Sequence, residues 1–173
     1  MPQLILPTTR LRESWLESRA EWGREYQSEA GLNVGDDVDT ADGFAAWVRR
    51  LHRAADPSFP AGDGRVHATY WWVAEGETYL GAITLRHTLN DFLLRAAGHI
   101  GYGIRPSARR QGHATWALAA VLPLAGALGL DRVLVTCEDS NIGSARTIEN
   151  CGGVLEDVRA TELGRTRRYW ITL

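Results

Sequence analysis

The stretch Arg105-Pro-Ser-Ala-Arg-Arg-Gln-Gly-His-Ala-Thr115 lies between two apolar segments of different kinds. The shorter segment before it, residues 99–104, predicts a strand, and residues 116–130 have the hydrophobic spacing of a helix. The first N–H groups of a helix have no partner within it, and the helix dipole adds positive charge there. A strand, an arginine- and glycine-rich loop and the start of a helix therefore predict a phosphate-binding site.

The loop residues that would contact a phosphate differ in what they contribute. Gly112 and Ala114 have little or no side chain, so that a pyrophosphate can come close to the backbone. Arg109 and Arg110 carry positive charge, and the Thr115 hydroxyl can donate a hydrogen bond. The sequence contains no G-x-x-x-x-G-K-[ST] pattern, and no strand is followed by G-x-G-x-x-G. These absences argue against a P-loop nucleotide site and a dinucleotide-binding site.

Two motifs in this part of the chain resemble the GNAT superfamily of N-acetyltransferases. Arg109-x-x-Gly112-x-Ala114 matches the family's pyrophosphate loop, [QR]-x-x-G-x-[GA]. About 27 residues later, Asn141-Ile-Gly-Ser144 has the pattern N-x-x-[SA], with which the family's next helix opens, and Gly152-Gly153 would end that helix. By order of elements the resemblance covers roughly residues 66–160.

The resemblance implies one α/β domain spanning residues 1–173, a length that fits a single domain. Its sheet would be mixed and mainly antiparallel, with helices on both faces and a splayed pair of parallel strands at the centre. Residues 1–65 would form a helical part on the acceptor side, residues 66–160 the cofactor-binding core, and residues 161–173 a closing strand.

Hydrophobic spacing and turn residues predict the individual elements. Before the loop, we expect an edge strand at 4–6, a helix from Thr8 or Thr9 to about Tyr26, a helix from Ala41 to about Ala55, a hairpin of 67–74 and 78–85, and a helical turn at 91–94. Beyond the loop and its helix, we expect a strand at 131–137, a helix at 141–151 and strands at 154–161 and 167–173. Pro123 lies inside the predicted helix 116–130, so either a kink near residue 119 or a shorter helix is expected.

By the resemblance, acetyl-CoA would lie in the gap between the strands at 99–104 and 132–137. The main chain of residues 102–104 would hold the thioester carbonyl, and Gly101 and Gly103 fit a bulged strand that a ligand approaches closely. The contacts implied for the cofactor are Tyr102, Gly103, Ile104, Arg109, Arg110, Gln111, Gly112, His113, Ala114, Thr115, Asn141 and Ser144.

The catalytic residues depart from the family's common pattern. Many members have a Tyr seven residues after the helix-opening Asn to protonate the leaving thiolate, whereas this chain has Ile148 there. Gly98 stands in the region where many members have a Glu base. The candidates that remain are Tyr102, His99 and Ser144, with His87 and Glu138 as further polar groups that could reach the gap.

Several of these candidates also have a purely structural interpretation. Tyr102 would face the acetyl group in a regular strand, whereas a bulge would turn His99 toward it instead. A His beside a strand is often only a hydrogen-bonding partner, and Ser144 could be a small packing residue. Cys137 is expected to pack in the core, because direct attack by an amine needs no thiol nucleophile.

Composition sets limits on function. The net charge of −2 gives no argument for a nucleic acid or membrane partner, and all 19 basic residues are arginines, which excludes a lysine nucleophile. The two cysteines form neither a disulfide framework nor a metal set, so we expect a cytoplasmic protein without a metal site. The acidic segment 27–42 would favour a cationic amine, or is simply a solvated loop.

The function that the resemblance implies is direct transfer of an acetyl group from acetyl-CoA to a primary amine of a small molecule or peptide. The alternative is a non-catalytic acyl-CoA-binding sensor or partner module. The donor could also carry a longer acyl chain, and the protein could be a monomer or a homodimer.

Overall fold

The computed structural model describes residues 1–23 and 30–173, and its central feature is a seven-stranded sheet. The strands are Gln3–Ile5 (β1), Ala68–Glu75 (β2), Thr78–Arg86 (β3), Ile100–Ile104 (β4), Arg132–Glu138 (β5), Val154–Thr161 (β6) and Gly164–Thr172 (β7). They lie in the order β1-β2-β3-β4-β5-β7-β6. Every neighbouring pair is antiparallel except β4 and β5, which are parallel. The predicted mixed, mainly antiparallel sheet is confirmed.

Helices cover both faces of this sheet. They are Arg12–Trp22 (α1), Ala41–Arg53 (α2), His113–Ala127 (α3) and Ile142–Asn150 (α4), together with short helical turns at Thr9–Leu11, Leu93–Ala97 and Pro106–Ala108. One apolar core joins α3 and α4 to the middle strands, and its members include Leu118, Val135 and Ile148. The second core joins α1 and α2 to β2 and β3 through a cluster of aromatic rings that includes Trp15 and Trp72.

Most of the predicted elements are confirmed, with shifted ends. The hairpin of β2 and β3 turns at Gly76, and the helical turn expected at 91–94 continues to Ala97. Pro123 lies within α3, which ends at Ala127 rather than at residue 130, as the shorter-helix alternative predicts. Gly23, with a φ of 65°, caps α1 after Trp22, so the helix ends earlier than predicted. The predicted end at Tyr26 and the acidic Glu29 lie outside the described residues.

The two parallel strands separate soon after they meet. Although β4 has five residues and β5 has seven, their ladder contains one Cα pair, Ile100 with Val135. Next to it, the His99 N–H donates to the Leu134 carbonyl at 2.7 Å, and His99 Nδ1 accepts from the Leu134 N–H at 2.9 Å. The C-terminal parts of β4 and β5 are therefore not paired with each other, which is the predicted splay.

Of the two alternatives for β4, the regular strand is observed opposite β3, and the bulge is not. β4 pairs with β3 in unbroken register from Ile100 opposite Leu85 to Ile104 opposite Gly81. A glycine is needed at position 81 of β3 because the two backbones are close: a Cβ on Gly81 would lie 2.2 Å from the Gly103 carbonyl oxygen. In this regular strand the side chain of Tyr102 points to the same face as Ile100 and Ile104, toward α3 and α4.

Gly98 should be essential for the junction that starts the splay. It has a φ of 67°, and a Cβ there would lie 2.4 Å from the Leu134 carbonyl oxygen. We expect Gly98→Ala to lower the free energy of unfolding by about 2–4 kcal/mol, because it combines left-handed strain with a backbone clash. Thermal or urea unfolding would measure this change.

Gly126 provides the matched control for that substitution. It is exposed in α3, and a Cβ there would meet no atom within 4 Å. Gly126→Ala should therefore stabilise the protein by up to about 1 kcal/mol, as expected for alanine in a helix. Equal effects of the two substitutions would contradict the role assigned to Gly98.

Candidate active site

A cleft of about 630 Å³ opens where β4 and β5 separate. It is bounded by the end of α1, β4, the loop from residue 105 to 112, and the first turns of α3 and α4. Its lining residues are Trp22, Tyr102, Gly103, Ile104, Ala108, Arg109, Arg110, Gly112, His113, Ala114, Thr115, Asn141, Gly143, Ser144 and Thr147. All the predicted cofactor contacts are among them except Gln111, whose amide donates to the Ser107 carbonyl at 3.3 Å.

The loop reaches the start of α3 through two left-handed residues. Arg110 has a φ of 62°, and Gly112, the N-cap of α3, has a φ of 84°. Within residues 1–23 and 30–173 no side chain caps this helix, and its first turn contains no acidic residue. A Cβ on Gly112 would meet no atom of the described residues within 4 Å, so these residues leave the space before the helix open to a ligand. The N-terminus of α3 is therefore suited to bind an anion.

Glu21 anchors this loop to α1, a role that the sequence analysis missed. Its carboxylate accepts hydrogen bonds from Arg105 Nε at 3.0 Å and from the Ser107 N–H and hydroxyl, both at 2.9 Å. Arg105 is buried and also donates to the Tyr79 carbonyl at 3.1 Å. The hydrogen bond from Arg105, followed by those from Ser107, lowers the pKa of Glu21 to about 2. Glu21 therefore remains charged well into the acidic range.

Removing this carboxylate should destabilise the protein in a pH-dependent way. At pH 7 we expect Glu21→Gln to lower the free energy of unfolding by about 1–2 kcal/mol, allowing for solvent screening. Because the folded pKa lies below the ordinary value of 4.5, this stability is fully present above pH 4.5 and is lost as the pH falls toward 2. Urea unfolding at several pH values should show the difference from wild type shrinking over that range.

Glu17 is the matched control, one turn earlier on the same helix. Its carboxylate lies 3.9 Å from Arg105, and its side chain is 70% exposed. Glu17→Gln should therefore change stability by less than about 0.5 kcal/mol at any pH. If Glu21→Gln lowered the free energy of unfolding by the same amount at every pH, the Glu21 carboxylate would not act through its charge.

Tyr102 and Ser144, two of the residues predicted to be catalytic, contact each other inside the cleft. The Tyr102 hydroxyl lies 2.7 Å from Ser144 Oγ and 3.3 Å from the Ser144 carbonyl oxygen. Burial raises the pKa of Tyr102 well above its usual value, so the phenol stays neutral across the physiological range. Asn141 Oδ1 accepts from the Ser144 N–H at 3.0 Å and so caps α4. Asn141 therefore has a structural role as the N-cap of α4, and it also lines the cleft.

The structure does not bring His99 into this cleft. Its ring is buried, accepts from the backbone of Leu134, and lies 6.3 Å from the ring of Trp170. Burial, and secondarily the charge of Arg86, lowers its pKa to about 4. His99 thus accepts a backbone hydrogen bond through a neutral ring nitrogen, which is the structural role that a His beside a strand often has.

The other polar candidates lie elsewhere. His87 Nε2 is 2.8 Å from the Thr69 hydroxyl, and Glu138 is exposed at the end of β5, in a smaller concavity with Asp139 and Arg165. Ile148 is fully buried in the core and provides no proton. Burial raises the pKa of the half-buried Cys137 thiol, in keeping with the packing role expected for it.

Arg109 has a partner that the sequence did not indicate. Its Nε donates to the Ile104 carbonyl at 3.1 Å, and its guanidinium carbon lies 4.5 Å from the ring centroid of Trp22. In the sequence, Trp22 is only one of the apolar residues that recur at helical intervals along α1. Neither Trp22 nor Glu21 has a local sequence signal, because each contacts a loop that is remote in sequence.

A comparison with family models gives one match, described as an acetyltransferase (GNAT) domain, over residues 35–154. The match spans more than half of the chain. This chain belongs to the GNAT acetyltransferase family. It is an acyltransferase whose acetyl donor is acetyl-CoA. A search of curated proteins found no significant match.

Solved structures share this fold at low sequence identity. The microcin C7 self-immunity acetyltransferase MccE, in complex with acetyl-CoA and AMP, is 15% identical, with a TM-score of 0.72 over 99% of this chain and 92% of that one. RimJ of Mycobacterium smegmatis, in complex with CoA-disulfide, is 19% identical, with a TM-score of 0.73. The match covers 99% of this chain and 81% of that one. RimL, a ribosomal L7/L12 α-N-protein acetyltransferase in complex with CoA, is 13% identical, with a TM-score of 0.71. The match covers 99% of this chain and 94% of that one. These similarities confirm the GNAT fold.

The residues of the cleft fit acetyl-CoA. The open space before Gly112, the uncapped start of α3 and the charges of Arg109 and Arg110 suit a pyrophosphate. The unpaired part of β4 leaves room for an extended arm beside the strand. Among the residues that the structure describes, no helix is long and apolar enough to cross a bilayer.

Proposed function

We propose that this protein transfers the acetyl group of acetyl-CoA directly to a primary amine of a small molecule or peptide. The observation that carries the proposal is the Tyr102–Ser144 pair, which lies in the same cleft as the pyrophosphate loop. A cytoplasmic location fits the free thiols of Cys137 and Cys151, and the predicted monomer or homodimer remains a prediction.

Direct transfer requires a polarised carbonyl, a neutral amine and protonation of the leaving sulfur. The backbone of β4 supports the first requirement. The Arg105 N–H donates to Leu80 of β3, so the alternate N–H groups of Tyr102 and Ile104 point to the other side, into the gap beside β5. These two N–H groups would hold the thioester carbonyl, the position that the resemblance predicts for them.

Ser144 supports protonation of the sulfur. Its backbone N–H is held by the α4 cap through Asn141, its hydroxyl is hydrogen-bonded to Tyr102, and it lines the cleft. In this proposal Ser144 donates its proton to the leaving thiolate and regains one from solvent, to which the attacking amine loses its proton as the amide forms. Tyr102 stays neutral throughout and orients the Ser144 hydroxyl. The pair would replace the Tyr that many relatives have at the position of Ile148.

Binding is the first test. Isothermal titration should show that acetyl-CoA binds to the wild-type protein and that Gly112→Asp weakens binding about tenfold more than Gly112→Asn does. Asn and Asp have the same shape and tolerate left-handed backbone, so the difference isolates a negative charge placed where the pyrophosphate would lie. Equal affinities for the two variants would contradict this placement of the site.

Turnover is the second test, because it separates the transferase from a non-catalytic acyl-CoA-binding module. With a panel of amines and peptides, release of free thiol should accompany transfer. Ser144→Ala should lower kcat about 100-fold and Tyr102→Phe about tenfold, while the affinity for CoA changes less than threefold.

Ser140→Ala is the control for turnover, since Ser140 lies in the exposed turn before α4. It should leave kcat unchanged. If acetyl-CoA binds but no amine in the panel is acetylated, the sensor alternative gains support. If Ser144→Ala retains full kcat, the proton donor is another group.

A further inference from the structure

We propose that Trp22 is a positioning residue for the cofactor and that it acts through Arg109. The inference rests on the proposed function, because it requires that the cleft binds the pyrophosphate of CoA. Trp22 comes from α1, which belongs to the acceptor-side part predicted at residues 1–65. It therefore links that part of the chain to the cofactor loop.

The contacts of Arg109 keep its charge available to a ligand. Its Nε–H donates to the Ile104 carbonyl, and its guanidinium carbon lies over the ring of Trp22, 4.5 Å from the ring centroid. A guanidinium has five N–H donors in its plane, and stacking on a ring uses none of them. Within residues 1–23 and 30–173, no carboxylate forms an ion pair with Arg109. The terminal N–H groups therefore remain for a phosphate.

Arg105, in the same loop, is held in the opposite way. It is buried and paired with Glu21, so that its charge is neutralised and it serves the structure of the loop. A carboxylate beside Arg109 would likewise fix the side chain but would compete with a phosphate for its charge. An aromatic ring fixes the guanidinium and leaves the charge in place. This difference indicates that Arg109 is oriented for an anion.

The position of Trp22 is itself well determined. It lies in the last turn of α1, directly after Glu21, which is bonded to Arg105 and Ser107 of the loop. Gly23 ends the helix with its N–H bonded to the Arg19 and Ala20 carbonyls. Trp22 thus lies between a residue bonded to the loop and the helix cap, and by restricting Arg109 it lowers the side-chain entropy that Arg109 loses when an anion binds.

A double-mutant cycle on CoA affinity tests the proposal. The variants are Trp22→Leu, Trp22→Phe, Arg109→Ala and the combination of Trp22→Leu with Arg109→Ala, each titrated with CoA by calorimetry. We expect Trp22→Leu to weaken binding about fivefold, and Trp22→Phe about twofold, because phenylalanine keeps an aromatic face. In the Arg109→Ala background, Trp22→Leu should change the affinity less than twofold, because Trp22 acts through the missing guanidinium.

Other results would overturn the inference. If Trp22→Leu lowered the affinity for CoA equally with and without Arg109, Trp22 would act independently of Arg109, as expected for a general structural role. No loss in either background would show that Trp22 does not position the site. If Trp22→Leu does not fold, Trp22→Phe in the two backgrounds gives the same comparison, with a twofold loss expected only where Arg109 is present.

The failure of this inference is distinguishable from the failure of the proposed function. If the wild-type protein does not bind CoA, the proposed function fails. If the wild-type protein binds CoA and Arg109→Ala weakens binding, but the cycle shows no coupling, only the role of Trp22 is wrong.

Discussion

The parallel strands β4 and β5 meet at Ile100 and Val135, and His99 completes the junction by exchanging two hydrogen bonds with Leu134. Because no further pairs follow, the backbone of β4 beyond this point faces a gap instead of a partner strand. The cleft, the exposed N–H groups of Tyr102 and Ile104, and the approach of α4 all depend on this early separation. His99, which the sequence allowed as a base, instead stabilises the junction that makes the gap possible.

Arginines in and beside the loop show how one residue type serves two purposes. Arg105 is buried against Glu21, and its charge is balanced within the protein, which fixes the path of the chain after β4. Arg109 is fixed by a carbonyl and an aromatic ring, and no carboxylate in the part of the chain that the structure describes forms an ion pair with it. Glu21 and Trp22, which contact these two arginines, both lie at the end of α1, so the geometry of the anion site depends on a helix from the opposite face of the sheet.

Burial determines the chemistry of the remaining site residues. The phenol of Tyr102 stays neutral because burial disfavours its charged form, which makes it a hydrogen-bond donor to Ser144 and not a base. Tyr102 faces Ser144 because β4 pairs with β3 in regular register. A one-residue bulge would have turned the Tyr102 side chain to the other face of the sheet.

The sequence by itself determined the anion loop, the starts of α3 and α4, the β2–β3 hairpin and the family, because each of these signals lies within a short contiguous segment. Tertiary structure decided which polar groups share the cleft. Glu21 reaches Arg105 across 84 residues, and Tyr102 meets Ser144 across 42. Those contacts depend on strand register and on how helices pack over the sheet. Register and packing depend on the whole core, so no local pattern specifies them.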